Sequence, residues 1–213
     1  MTSDSKNTSH INVLHADVRR LLKKYKCKYE LHEVRAQFMG AIASPVASVS
    51  PAEEIKTLWN GEMPTMKSIT AINELMQVFA MGLWNQLSSH TNPSTPFQLL
   101  PFVEELNHKN LRDCAKIRLD ELSSFLDAFY QGEESLKLDA EISKSLDFIE
   151  DMIGMFAGIV NIPKNKNETE KSTKALVTNI HELSRIAEIE INTVIVMSAQ
   201  QRSQSKPEPP TLH

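Results

Sequence analysis

Glycine is scarce in this chain, with six in 213 residues, and turn dipeptides are few. That composition points away from a β-sandwich or barrel and toward helices. The six, Gly40, Gly61, Gly82, Gly132, Gly154 and Gly158, form neither G-x-G-x-x-G nor G-x-x-x-x-G-K. A phosphate cradle, which needs closely spaced backbone N–H groups, is therefore excluded. Cysteine is scarcer still: Cys27 and Cys114 stand far apart with no Cys or His at finger-like spacing beside them. Neither a disulfide framework nor a zinc site is indicated, and a reducing cytoplasm is the expected compartment. Long apolar runs are missing too. The uncharged stretch Leu75 to Val103 is apolar only as far as Leu87, too short to span a bilayer, and the N-terminal MTSDSKNTSH has no apolar signal-peptide core. The expectation is a soluble, intracellular protein with no membrane partner. A formal net charge of -4 argues neither for a nucleic-acid binder nor for a highly acidic solvating chain.

Catalytic constellations are also absent. No Ser sits in a nucleophile elbow and no HExxH occurs. Adjacent acids at Glu53-Glu54, Glu104-Glu105, Glu133-Glu134 and Glu150-Asp151 point about 100° apart on a helix and cannot share a proton. Asp147, Glu150 and Asp151 share a face, which reads as a solvated acidic surface helped by Lys144. Glu105 to His108 is a single E-x-x-H, whereas a di-iron site needs two, with two further Glu. No catalytic residue, cofactor or metal is expected.

What the chain has is helical periodicity. At 213 residues and 41% hydrophobic it is long enough for one domain burying roughly 70% of its unfolded surface. The organising stretch is Met66 to Leu87, where Ile69, Ile72, Leu75, Met76, Phe79, Leu83 and Leu87 recur at helical spacing. Before it, helices are expected over Ile11 to Tyr25 and Leu31 to Ser44. A third starts at Ser50-Pro51-Ala52-Glu53, with Ser as N-cap and Glu closing the capping box, and is stopped by Asn60-Gly61. After it, Pro93, Pro96 and Pro101 make an irregular connection in which Phe97, Leu99 and Leu100 tuck back as a plug. Three more helices follow: Leu111 to Tyr130, with Ile117 or Arg118 on the apolar stripe; Asp139 to Val160, where Gly154 and Gly158 fit a close helix crossing; and Thr173 to Gln200, which contains the β-branched run Ile189 to Val196. The fold class is thus all-α, a single domain of about seven helices over residues 10–200, with disordered tails at 1–9 and 201–213.

Several short words stand in a telling order: Glu30-Leu31-His32, Phe38-Met39-Gly40-Ala41, Trp59-Asn60-Gly61-Glu62, the long helix to Leu87, Phe97 with Leu100-Pro101, Arg118 to Gly132, and the closing Pro209-Pro210-Thr211-Leu212-His213. Together they resemble the YgfB/YecA-like family of bacterial helical proteins, in its YgfB branch. The chain departs from it at Glu33, where the family has Gly, in the thinned turn at Ser44-Pro45, and in lacking the Cys-rich metal-binding extension of the YecA branch. The resemblance implies an all-α fold and no established catalytic residues.

The candidate binding residues are Arg19, Arg20, Lys23 and Lys24 on the first helix, continued by Lys26 and Lys28, together with His32. The reading is a non-enzymatic interaction or regulatory adaptor whose partner is another protein, an acidic one for the basic helix, with the Pro-rich connection and that helix presenting a groove. Two alternatives stand beside it. One is an enzyme of small molecules or metals assembled from several helices around His32, Glu30 and Glu105. The other is a nucleic-acid accessory factor using Arg19 to Lys28, with a salt slope of roughly -0.9 per phosphate contacted.

Overall fold

The computed structural model describes residues 3–46, 50–102, 107, 110–133, 136–162 and 170–204, with side chains from Leu14 in the first helix and from Lys174 in the last. Among them every regular element is helical and no strand occurs. Seven helices follow in order: α1 (Ser3–Lys24), α2 (Leu31–Ala43), α3 (Pro51–Thr57), α4 (Ile69–Met76), which runs on through a π-helical segment (Gln77–Trp84) to a final turn (Asn85–Ser88), α5 (Leu111–Tyr130), α6 (Ala140–Val160) and α7 (Glu170–Gln204). The single all-α domain of seven helices stands as expected.

Helix ends obey local chemistry. Lys26 at φ 51 turns α1 off, with the Cys27 N–H reaching back to the Leu22 carbonyl at 2.9 Å. Lys26 and Lys28 therefore lie in the turn, not on the helix face. Asn60 (φ 61) and Gly61 (φ 90) close α3 in the same way, and Gln131 (φ 51) closes α5. Ser50 caps α3, its hydroxyl accepting the Glu53 N–H at 3.2 Å. Glu53 does not complete the capping box expected there; its carboxylate holds Lys56 at 2.7 Å. The reciprocal arrangement appears instead at α2, where the Glu30 N–H donates to Glu33 Oε2 at 2.7 Å. At the other end of the chain, no Gly or Pro interrupts residues 3–24, and helical backbone extends to Ser3, where a disordered lead-in to residue 9 was expected. At the C-terminal side helical backbone runs to Gln204, past Gln201 where the disordered tail was expected to begin; residues 205–213 lie outside the described residues.

Four helices form a ring: α2 packs along α5, α5 on α6, α6 on α7, and α7 returns to α2. Arg202 near the end of α7 ties the last joint, donating to the Ala43 and Ser44 carbonyls at 2.7 Å each. The β-branched run Ile189 to Val196 is helix, because Ile191, Val194 and Ile195 are buried at helical spacing. Gly40 lets α2 approach α5 closely: a Cβ there would stand 2.2 Å from the Phe125 carbonyl oxygen. Gly154 and Gly158, expected to mark such a crossing, face open space.

Across one side of the ring lies α4, met by α1 and α3 mainly at its π segment. Leu75, Phe79, Leu83 and Leu87 are all fully buried. They recur every four residues, and on an α-helix each such step drifts about 40° around the axis. A π segment is wound wider than an α-helix, so it offsets that drift and keeps all four facing inward. Phe79 and Trp84 pack edge-on against Phe38, and Trp59 against Phe79. Both tryptophans thus serve packing. Ile69 and Ile72, placed on the buried stripe by periodicity, are 76% and 41% exposed, since α1 and α3 meet this helix mainly further on, at its π segment.

Gly40→Ala should destabilise the protein by about 1–3 kcal/mol, read as a lowered urea midpoint at unchanged slope. The gain of about 1 kcal/mol in helix propensity is outweighed, because the atom in the way is backbone.

Candidate functional site

An extended strap, Phe97 to Leu100, runs between α2, α5 and α7 with Phe97 and Leu99 buried. The plug expected there is present. Extended backbone inside a helical domain brings peptide groups that no helix ladder can pair, and each one left buried without a partner costs free energy. Side chains supply the partners. Asn192 of α7 accepts the Phe97 N–H at 2.7 Å and donates to the Phe97 carbonyl at 2.9 Å. Glu188, one turn earlier, accepts the Leu99 N–H at 3.0 Å. From α5, Glu121 accepts the Leu100 N–H at 3.1 Å and Arg118 donates to the Leu100 carbonyl at 2.8 Å. From α2, Arg35 donates to the Gln98 carbonyl at 3.2 Å, its guanidinium lying over the Phe97 ring.

Arg118 and Glu121 are both buried and bonded to one another, and Arg118 Nε donates to Ser184 on α7 at 3.0 Å. Burial pushes the Glu121 carboxyl up, while Arg118 and the Leu100 N–H pull it back. Burial lowers Arg35 to about 10, and its Nε and Nη1 have no hydrogen-bond partner among the described residues.

The outer side of the strap forms one wall of an open groove of about 650 Å³; α7 forms the other. Pro96, Phe97 and Gln98 face Ile189, Thr193, Val196 and Met197 across it, with Glu141 and Arg185 at the rim. Arg185 carries its own partner, Glu182, at 2.6 Å. Ile189 is half exposed. The Pro-rich connection does present a groove, but the second wall is α7 and not α1.

The basic residues of α1 lie on a separate surface. Arg20 pairs with Asp17 and with Glu74 of α4, and Lys24 with the same Glu74. Arg19 and Lys23 are exposed and carry no ion pair among the described residues. His15 lies on the inner face of the helix; burial first, then Arg35 and Arg19, lower it to about 4. His32 faces α5, its Nε2 4.0 Å from Asp120, which also takes Lys116 at 2.7 Å. Burial lowers His32 against the pull of Asp120 and Glu30. Glu105 and His108 lie outside the described residues. Among the described residues no three His, Cys, Asp or Glu side chains converge as metal ligands, and no helix is long and apolar enough to cross a membrane. On α6, Lys144 lies over the Phe148 ring, and Asp147, Glu150 and Asp151 are exposed.

Periodicity missed Glu188 and Asn192 altogether. One signal was available: Arg118 falls on the apolar stripe of its helix, where a charge demands a buried partner.

Arg118→Met should cost about 3–5 kcal/mol, since it strands a buried carboxylate and a peptide carbonyl. Adding Glu121→Gln should recover part of that loss, because the amide is neutral and still accepts from Leu100; a double-mutant cycle in urea measures the difference. His15 sets a pH dependence. Its folded value of about 4 lies below the unfolded 6.5, so the unfolded chain binds the extra proton between those pH values. Stability is full above about pH 6.5 and falls toward pH 4, by at most about 3 kcal/mol from this residue. His15→Leu should flatten the slope of denaturation midpoint against pH in that window; His32 and His90, also lowered by burial, keep it from vanishing.

No family model, no curated protein and no solved structure matches this chain.

Proposed function

We propose that this protein is a non-enzymatic, cytoplasmic interaction adaptor of the YgfB/YecA-like kind. The observation that carries the reading is the open groove beside the strap, walled by Ile189, Val196 and Met197. Exposed, concave apolar surface backed by a rigid wall suits the apolar side chains of a partner protein. The wall is rigid because five side chains hold the backbone of the strap. Arg19 and Lys23 add a second, electrostatic contact for acidic residues of the partner, acting on association rate more than on affinity. Glu74 and Asp17 already neutralise Arg20 and Lys24, which leaves less charge for a phosphate backbone and favours a protein partner over a nucleic acid.

Affinity capture from the native host, with mass spectrometry, tests this. Ile189→Asp should lose the partner while stability changes by only about 0.5 kcal/mol, as for other exposed positions. A variant with Arg19, Arg20, Lys23 and Lys24 changed to Glu should slow association. Retention of the same partner by Ile189→Asp sinks the groove, and the absence of any specific partner sinks the adaptor.

A further inference from the structure

A second cavity, of about 430 Å³, opens between α2, α3 and the C-terminal half of α5. Its size lies within the range of small-molecule sites. Gln37, Glu54, Thr57, Ser124, Asp127 and Gln131 line it together with Tyr29, Gly61 and Ala128, so its wall mixes polar and apolar groups where that of the groove is mostly apolar. Glu54 is only 5% exposed. Its Oε1 accepts from Gln37 Nε2 at 2.8 Å and from Thr57 at 3.3 Å, and among the described residues no cation pairs with it. The neighbouring Lys56 is taken by Glu53. Burial pushes the Glu54 carboxyl up, as it does for a buried carboxylate without a cation.

Two further features act in the same sense. Asp127 carries no ion pair among the described residues and sits in the last turn of α5, where the negative end of the helix dipole adds to its charge rather than offsetting it. With Glu53 and Lys56 cancelling, Glu54 and Asp127 leave the lining negative. Gln131, also in the lining, has its Nε2 buried with no acceptor among the described residues. A bare metal ion fits poorly, since it would find two carboxylates in a space large enough for several heavy atoms. An ammonium that also carries an oxygen fits both needs.

We propose that this cavity binds a small organic cation of the primary amino-alcohol class, its ammonium donating to Glu54 and Asp127 and its oxygen accepting from Gln131. The site is independent of the groove and stands or falls separately from it.

Isothermal titration of the intact protein with ethanolamine tests the assignment, with choline and Mg²⁺ as comparison probes. Ethanolamine should bind, and Glu54→Gln, which keeps an acceptor for Gln37 and Thr57, should weaken it roughly tenfold or more. Asp127→Asn, at an exposed position that does not endanger folding, should weaken it as well. Choline has the same charge but no N–H donor and should bind more weakly. No binding of ethanolamine, equal binding by both variants, choline binding as tightly, or Mg²⁺ binding alone with the same sensitivity to Glu54→Gln would each overturn the proposal.

Discussion

Four residues of extended chain threaded among helices impose the constraint on which this architecture turns. In a sheet, the peptide groups of Phe97 to Leu100 would be paired by a neighbouring strand. Here Arg35, Arg118, Glu121, Glu188 and Asn192 replace that strand, each taking a backbone group at hydrogen-bond distance. The arrangement is demanding. A buried ion pair gains little over a well-packed apolar pair, but the loss of one member leaves the other charged and stranded. The reward is geometric: α2, α5 and α7 are tied to a common line, so the bundle is registered by polar contacts where apolar packing would allow sliding.

The helical frame was legible because it rests on local rules. Spacing of apolar residues located all seven helices, and Ser50 and Asn60-Gly61 marked ends that the backbone respects. The misreadings share one cause, which is that a spacing pattern carries no knowledge of neighbours. Gly154 and Gly158 have the spacing of a tight crossing and face solvent, while the lone Gly40 lies against the Phe125 carbonyl. Ile69 continues the stripe of α4 and is exposed because α1 and α3 meet that helix mainly further on, at its π segment. The strap network was invisible for a stronger reason. Its partners lie up to 95 residues apart in sequence, and a Glu or Asn on a long helix reads as surface until something is seen against it.

Charge follows the same division between local and distant. Arg19, Arg20, Lys23 and Lys24 are a visible cluster in sequence, yet half of it is bound by Asp17 and Glu74. The charges that organise the interior are Arg35 on α2 and the pair Arg118 and Glu121, one turn apart on α5, and no run of like charge marks them in the sequence. The second cavity extends the contrast: the Glu54 carboxylate is buried between helices with no cation paired to it among the described residues, and only the packing of α2, α3 and α5 reveals that.

The dependence of the strap on α7 also sets an order of events during synthesis. Phe97 and Leu99 leave the ribosome 95 and 89 residues ahead of the Asn192 and Glu188 that fasten them. Until the last helix emerges, the nascent chain holds those apolar side chains and their unpaired backbone where α5 and α2 alone must shelter them. Long-range closure of this kind is slow and leaves sticky surface uncovered meanwhile. The final helix is therefore the latch of the domain, and a chain halted before residue 188 would emerge as a bundle with its central segment loose.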